Sequence, residues 1–331
     1  MTTQSEVRRM TRTQPKAQAD AQSPAEAQSP AEVQAPRRVP GRKPYRVKLG
    51  SWWWALPALV LMIVVIYLTT IAGGFFAFTN WSGLGPFDFV GLQNFVKIFQ
   101  TPELIGSLWN TLFLAFGFLV LTNIFGLLFA LALNRTLKSR YVLRTLIFMP
   151  VVVSPIAVSY IWKFIFDYNG PLNQAMAAVG LPKQNWLASP TLAIWCVLIV
   201  MVWQNIGFVM VIYLAGLATV PIEMEEAAAL DGASTFKRFR YVVLPQIQPS
   251  VAIATTLTLI QGLRVFDQVV ALTGGGPAGA TQTLALEVYQ QAFTYQEFGF
   301  GAALALVLSL LILIFSIAQQ WATRDRSAKE A

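Results

Sequence analysis

Six polar residues stand inside otherwise apolar stretches, and they are where this chain could do chemistry. Trp203, Gln204 and Asn205 are consecutive in one such stretch. Gln261, Arg264 and Asp267 recur every three residues in another, a spacing that puts side chains on one face of a helix. Amides and carboxylates hydrogen-bond hydroxyl groups, and an aromatic ring covers the apolar face of a sugar. The set therefore suits the binding of a hydroxyl-rich molecule such as a sugar. Arg264 and Asp267 suit equally well an ion pair that only staples helices together. Polar groups in apolar stretches of this length are costly to place and usually functional.

Much other chemistry is excluded. The chain has no histidine, which removes the commonest general base and metal ligand and every nucleophile paired with one. The single cysteine, Cys196, lies in an apolar run; it permits no intramolecular disulfide and reads as a small core residue. The run Gly274-Gly275-Gly276-Pro277 is glycine-rich but lacks the Lys and Ser/Thr of a phosphate-binding loop. If ATP drives this protein, another chain must bind it. Clustered acidic residues in the apolar stretches, which a membrane-embedded transferase would use, are absent too.

The elements that position these residues are long and apolar. The 331 residues are 55% hydrophobic and 12% charged, against about a quarter charged in ordinary soluble domains. Six apolar segments fall at about 52–78, 106–133, 145–166, 191–217, 250–272 and 299–321. Each is long enough for a membrane helix, which needs roughly 20 residues. Pro150 and Pro155 interrupt the third, which requires neighbouring helices to satisfy the freed carbonyls. In the second, Asn123, Gly126 and Ala130 share one helical face and read as a packing seam. Tryptophans open the first segment (Trp52, Trp53, Trp54) and close the last (Trp321), as interfacial aromatics do.

Charge orients these segments. Of the 24 Lys and Arg, only Lys97 and Lys183 fall on one side, while Lys163 and Arg264 lie within or at the end of apolar segments. The remainder lie in the N-terminal arm, the 134–144 and 218–249 loops and the tail. This bias predicts six spans with both termini cytoplasmic. It also explains the net charge of +8 without nucleic acid. Residues 1–50 are rich in Pro, Ala, Gln and Ser, repeat AQSPAE in tandem and end in a basic stretch. They read as a disordered arm anchored beside anionic lipid. The expected organisation is arm 1–50, six-span domain 51–323 with a cytoplasmic loop at 221–246, and tail 324–331.

That loop is charged and helix-forming. Glu223, Glu225 and Glu226 follow Pro221, which suits a helix start; Asp231-Gly232 suits a stop, and Ser234 a cap for a second short helix. Such a module has too little apolar surface to fold alone and must dock onto something. The pattern Glu226-Ala227-Ala228, Gly232, Val242, Leu244 and Pro245 closely resembles the EAA loop of binding-protein-dependent ABC import permeases, with Val242 where isoleucine is usual. Residues 264–283 resemble the fifth-span exit of the maltose- and glycerol-phosphate-type branch, at Phe266-Asp267, Leu272-Thr273, Gly275-Gly276-Pro277 and Thr281. The run Phe89 to Phe95 resembles that branch's first outer loop. The matches reach from about residue 52 to the end and leave the arm outside.

The resemblance implies an all-α integral membrane protein with six transmembrane helices, the type I ABC importer permease fold, in a bacterial inner membrane. It implies that Glu225, Glu226, Ala227, Ala228, Asp231, Gly232, Ala233, Phe236, Leu244 and Pro245 couple the chain to an ATPase. It makes Gly275, Gly276 and Pro277 part of an outer gate near a docked binding protein. The implied partners are a second homologous permease, two cytoplasmic ATPase subunits that bind ATP and Mg, and an extracytoplasmic solute-binding protein. This chain itself holds no cofactor and is no catalyst. The implied substrate is a carbohydrate, a di- or oligosaccharide, with glycerol 3-phosphate or a glycerophosphodiester as alternatives. A secondary transporter, which needs no ATPase, is the rival of another class.

Overall fold

The computed structural model describes residues 52–134 and 138–323. The arm over 1–50, the tail over 324–331 and Arg135 lie outside the described residues. Before Leu56 the described residues form the turn Trp52–Trp54. The unit from Leu56 onward is helical, with one isolated bridge between Thr79 and Phe89 among the described residues.

The helices run α1 Leu56–Phe76, α2 Gln93–Gln100, α3 Pro102–Leu133, α4 Arg140–Val152, α5 Pro155–Ile165, α6 Pro171–Ala178 and α7 Pro190–Leu217. There follow α8 Ile222–Leu230, α9 Thr235–Gln246, α10 Gln248–Leu263, α11 Asp267–Leu272, α12 Leu284–Tyr289 and α13 Phe298–Thr323. Proline opens α3, α5, α6 and α7, where its missing N–H needs no partner and its fixed φ favours the helix.

Four helices, α1, α3, α7 and α13, are long and apolar enough to cross a membrane. Two more pairs qualify if each is one broken span: α4 with α5, bent by 100°, and α9 with α10, bent by 74°. The first bend follows from sequence. Pro155 forces the residue before it out of the helical region, and Ser154 is extended at ψ 137°. The expected kink in the third segment is thus a full break. The freed Val153 carbonyl accepts a hydrogen bond from Gln204 Nε2 at 3.0 Å, so a neighbouring helix does satisfy it.

The core gathers around α7. Of its most apolar stretch, 61% is buried, against 0% for α1, which packs on α13. Helix α7 packs against α3, α4 and α10. Small residues let these helices approach closely, as in membrane interiors. A Cβ added at Gly262 of α10 would stand 2.8 Å from Ala115 Cα of α3, and one at Gly126 would stand 2.6 Å from Val209 Cγ1 of α7. The seam of Asn123, Gly126 and Ala130 is buried here. Asn123 accepts from Tyr213 Oη at 2.7 Å and donates to Thr258 Oγ1 at 2.9 Å, which ties α3, α7 and α10 together. Cys196 is buried in the α7 core, as its sequence context predicts.

The fifth apolar segment departs from expectation. It breaks after Leu263, and α11 starts at Asp267. The break has a partner: Thr283 Oγ1 donates to the Val265 carbonyl at 3.2 Å, replacing a helical hydrogen bond.

Candidate functional site

Between the break of α4 and α5 and the end of α10 lies a cleft of about 530 Å³. Pro155, Gln204, Asn205, Phe208, Gln261 and Arg264 contribute to its wall. Four of the six polar residues singled out in the sequence therefore meet in one place. Gln261 Nε2 donates to Asn205 Oδ1 at 3.1 Å, and Asn205 Nδ2 donates to the Met201 carbonyl at 2.9 Å. This chain of amides fixes the orientation of Asn205 and leaves donor and acceptor capacity free for a guest.

The other two do not join them. Trp203 faces away, 42% exposed, with its ring edge-on to Trp162 at 5.4 Å. At about 100° per residue Trp203 lies about 200° from Asn205, on the far side of α7 from the wall that Gln204 and Asn205 form. Asp267 sits in the first turn of α11, where a carboxylate favours the positive helix end. Because the helix stops at Leu263, Gln261, Arg264 and Asp267 do not occupy one helical face. No Arg264–Asp267 ion pair forms; among the described residues the ion pair is Lys97–Glu297 at 2.8 Å. A cation facing lipid at the bilayer centre costs about 2.5–3.5 kcal/mol, which favours its place on a cleft wall.

Gln268, which the spacing argument missed, holds a residue of the cleft wall from behind. It is buried, and its Nε2 donates to Gln204 Oε1 at 3.2 Å. The signal was an amide in an apolar run. Gln268, Gln204 and the Val153 carbonyl form a relay from α11 through α7 to the α4–α5 break. Gln204→Leu keeps the volume but orphans that carbonyl. It is expected to lower unfolding stability by about 1–3 kcal/mol, measured on the detergent-solubilised chain; an unchanged midpoint would show that the relay does not hold the break.

A second candidate lies at the other end of α7 and α10. Helix α8 ends with Asp231 as its cap and Gly232 at φ +78°. Ala233 N–H donates to the Ala228 carbonyl at 3.0 Å and Gly232 N–H to that of Ala229 at 3.1 Å, a Schellman closure. Ser234 then caps α9, its Oγ accepting from Lys237 N–H at 3.4 Å. Pro221 occupies the cap position of α8, just before its first turn. Glu226, Ala227, Asp231, Gly232 and Pro245 are exposed, and Glu225, Ala228, Ala233 and Leu244 half-buried. Leu230 is 90% exposed and Phe236 74%. Ile222, Met224 and Tyr241 are exposed on the same element, so several large apolar side chains, Leu230 and Phe236 foremost, project from a charged, glycine-terminated turn.

The glycine run is ordered. Gly274 and Gly275 take φ +60° and +92°. Thr281, fully buried, donates to the Gly276 carbonyl at 2.9 Å, and Asn110 of α3 donates to the carbonyls of Gly279 and Gln282. Gly275 is buried in this knot, with Gly276 and Pro277 half-buried beside it.

Comparison with known proteins matches this architecture. The model of the family described as "Binding-protein-dependent transport system inner membrane component" matches residues 122–327. The "Probable starch degradation products transport system permease protein" of Thermoanaerobacterium thermosulfurigenes is 34% identical over 85% of this chain and 97% of its own length. The "Multiple sugar-binding transport system permease protein" of Streptococcus mutans is 34% identical over 82% and 94%. The "Trehalose/maltose transport system permease protein" of Thermococcus litoralis is 34% identical over 79% and 89%. Among solved structures, a bacterial ABC transporter involved in the import of the acidic polysaccharide alginate superposes with a TM-score of 0.74. It covers 83% of this chain and 95% of that one at 21% identity, a likeness of fold. The chain is thus a multi-pass membrane protein and belongs to the family of binding-protein-dependent ABC transporter permeases.

Proposed function

We propose that this chain is the permease subunit of an ATP-driven importer, spanning a bacterial inner membrane six times with both termini in the cytoplasm. With a second, homologous permease it forms the path for a carbohydrate delivered by an external solute-binding protein. Two cytoplasmic ATPase subunits bind ATP and Mg and supply the energy. The sugar names of the relatives support a carbohydrate, and so does the solved alginate transporter in complex with an alginate pentasaccharide-bound periplasmic protein. None of those names supports a glycerol phosphate ester.

The observation that carries this reading is the exposed pair Leu230 and Phe236 on the α8–α9 element. Exposed apolar groups rimmed by charge mark interaction sites. In this reading Glu225 to Gly232, Ala233, Phe236, Leu244 and Pro245 seat in the ATPase. The element is also well connected to the cleft. It follows α7 and leads through the 74° bend into α10, the two helices that carry Asn205 and Gln261. From Gln248 to Gln261 is about 20 Å along α10 at 1.5 Å per residue. Closure of the ATPase pair would move α8 and α9, tilt α10 and reshape the cleft, so that cargo passes from the outer to the inner side. The knot around Gly275, Gly276 and Pro277 serves as the outer gate beside the binding protein.

The test places a photo-crosslinker at Phe236 in the assembled complex. Cross-linking to the ATPase subunit is expected there, with none from the same probe at Trp109 on α3. Equal labelling at both positions, or none at Phe236, would remove the docking role.

A further inference from the structure

We propose that Arg264 selects an acidic carbohydrate, binding one carboxylate of the cargo. The inference rests on the carbohydrate-import reading above and narrows its substrate class. Arg264 follows the last residue of α10 and lines the cleft with Gln204, Asn205 and Gln261. It also borders a second groove, between α10, α12 and α13, otherwise lined by residues such as Ala285, Val288 and Ser309. Among the described residues no carboxylate lies within ion-pair distance of its guanidinium. None of the residues lining the cleft is acidic, so its wall carries one positive charge and no negative one.

Three arguments assign the counter-charge to the cargo. Arg264 is exposed in this chain, so its guanidinium is open to a guest, and the amides of Gln204, Asn205 and Gln261 line the same cleft. The groove on the other side is lined mostly by apolar and small residues. The amides beside Arg264 are held by one another: Gln261 is bonded to Asn205, and Asn205 to the Met201 carbonyl. None of these bonds uses the guanidinium. Finally, Pro155, the first residue of α5, lines the same cleft. The N-terminal end of that helix adds positive potential, while the opposing carbonyl of Val153 is already taken up by Gln204. A planar guanidinium matches a carboxylate in a two-pronged geometry. One such group matches one carboxylate of a uronate, whereas a phosphate ester dianion would call for more cations at a single point.

The experiment uses the complete complex, both permeases with ATPases and binding protein, in proteoliposomes with ATP enclosed. The probe is an equimolar pool of neutral oligosaccharides (maltose, xylose and galactose series) and uronate oligosaccharides (from alginate and pectin). Mass spectrometry reads what accumulates. Uronate oligosaccharides are expected to accumulate, and Arg264→Gln to reduce this at least tenfold relative to neutral species at equal complex yield, with partial recovery in Arg264→Lys. Accumulation of neutral species alone would overturn the proposal. So would an Arg264→Gln complex that assembles poorly but keeps its selectivity, since the guanidinium would then answer the second permease. A pool from which nothing accumulates would overturn the carbohydrate reading and this proposal with it.

Discussion

Gly232→Pro is expected to leave the chain inserted and the cleft intact, yet to lower cargo-stimulated ATP hydrolysis tenfold or more. Gly232 stands at φ +78°, whereas proline is fixed near −65°. The substitution also deletes the N–H that donates to the Ala229 carbonyl at 3.1 Å. The ring closes off the native φ altogether, so α8 and α9 should change their relative direction instead. Leu230 and Phe236 sit on either side of that turn, and a docking element with few contacts tolerates no such change. Gly232→Asn is the control, because asparagine visits the left-handed region; most coupling should survive in it. Stimulated hydrolysis and co-purification of the ATPase would be read on the same preparations. Wild-type values in the proline variant would sink the coupling role, and equal losses in both variants would show that the turn geometry is not its cause. Glu226→Lys, a charge reversal on an exposed residue of α8, should weaken docking in the same direction.

In the cleft, Gln261→Ala and Asn205→Ala are each expected to raise the half-saturating cargo concentration about tenfold, which corresponds to roughly 1.4 kcal/mol. That is the scale of one or two hydrogen bonds to a guest. Gln261 touches Asn205 and no other side chain by hydrogen bond among the described residues, so its loss should spare assembly and basal hydrolysis. A double variant should lose less than the sum of the two, because the Gln261–Asn205 bond is removed once. A silent Gln261→Ala, with normal stimulation at low cargo, would contradict a cargo-binding role for this wall.

The long apolar runs were legible because bilayer thickness demands them; four are single helices long enough to cross a membrane, and two more are bent pairs. Their breaks were legible only where chemistry announces them. Pro155 signals the turn at Ser154, since a proline restricts the residue before it whatever the surroundings. The break at Arg264 to Phe266 carries no proline or glycine. It arises from tertiary contacts: Thr283, nineteen positions beyond Arg264, takes the Val265 carbonyl, and no local pattern encodes that. The same contacts separate Arg264 from Asp267 and defeat the spacing argument that joined them. Helix α12 escaped notice because it is short and follows the glycine knot directly. The turn after α8, by contrast, is a local event, and Asp231-Gly232 with Ser234 specified its stop and restart. Asn205 and Gln261 were found because amides in apolar runs are conspicuous. Their partnership was not, since it depends on how α7 and α10 cross.

The most direct test of the account is uptake driven by ATP in the reconstituted complex. Proteoliposomes carrying this chain, its partner permease and the ATPases would enclose ATP, with the binding protein and labelled oligosaccharides outside. Accumulation is expected only when ATP and the binding protein are both present, and vanadate should stop it. Accumulation without ATP, driven by an ion gradient and insensitive to vanadate, would contradict the account and make the chain a secondary transporter.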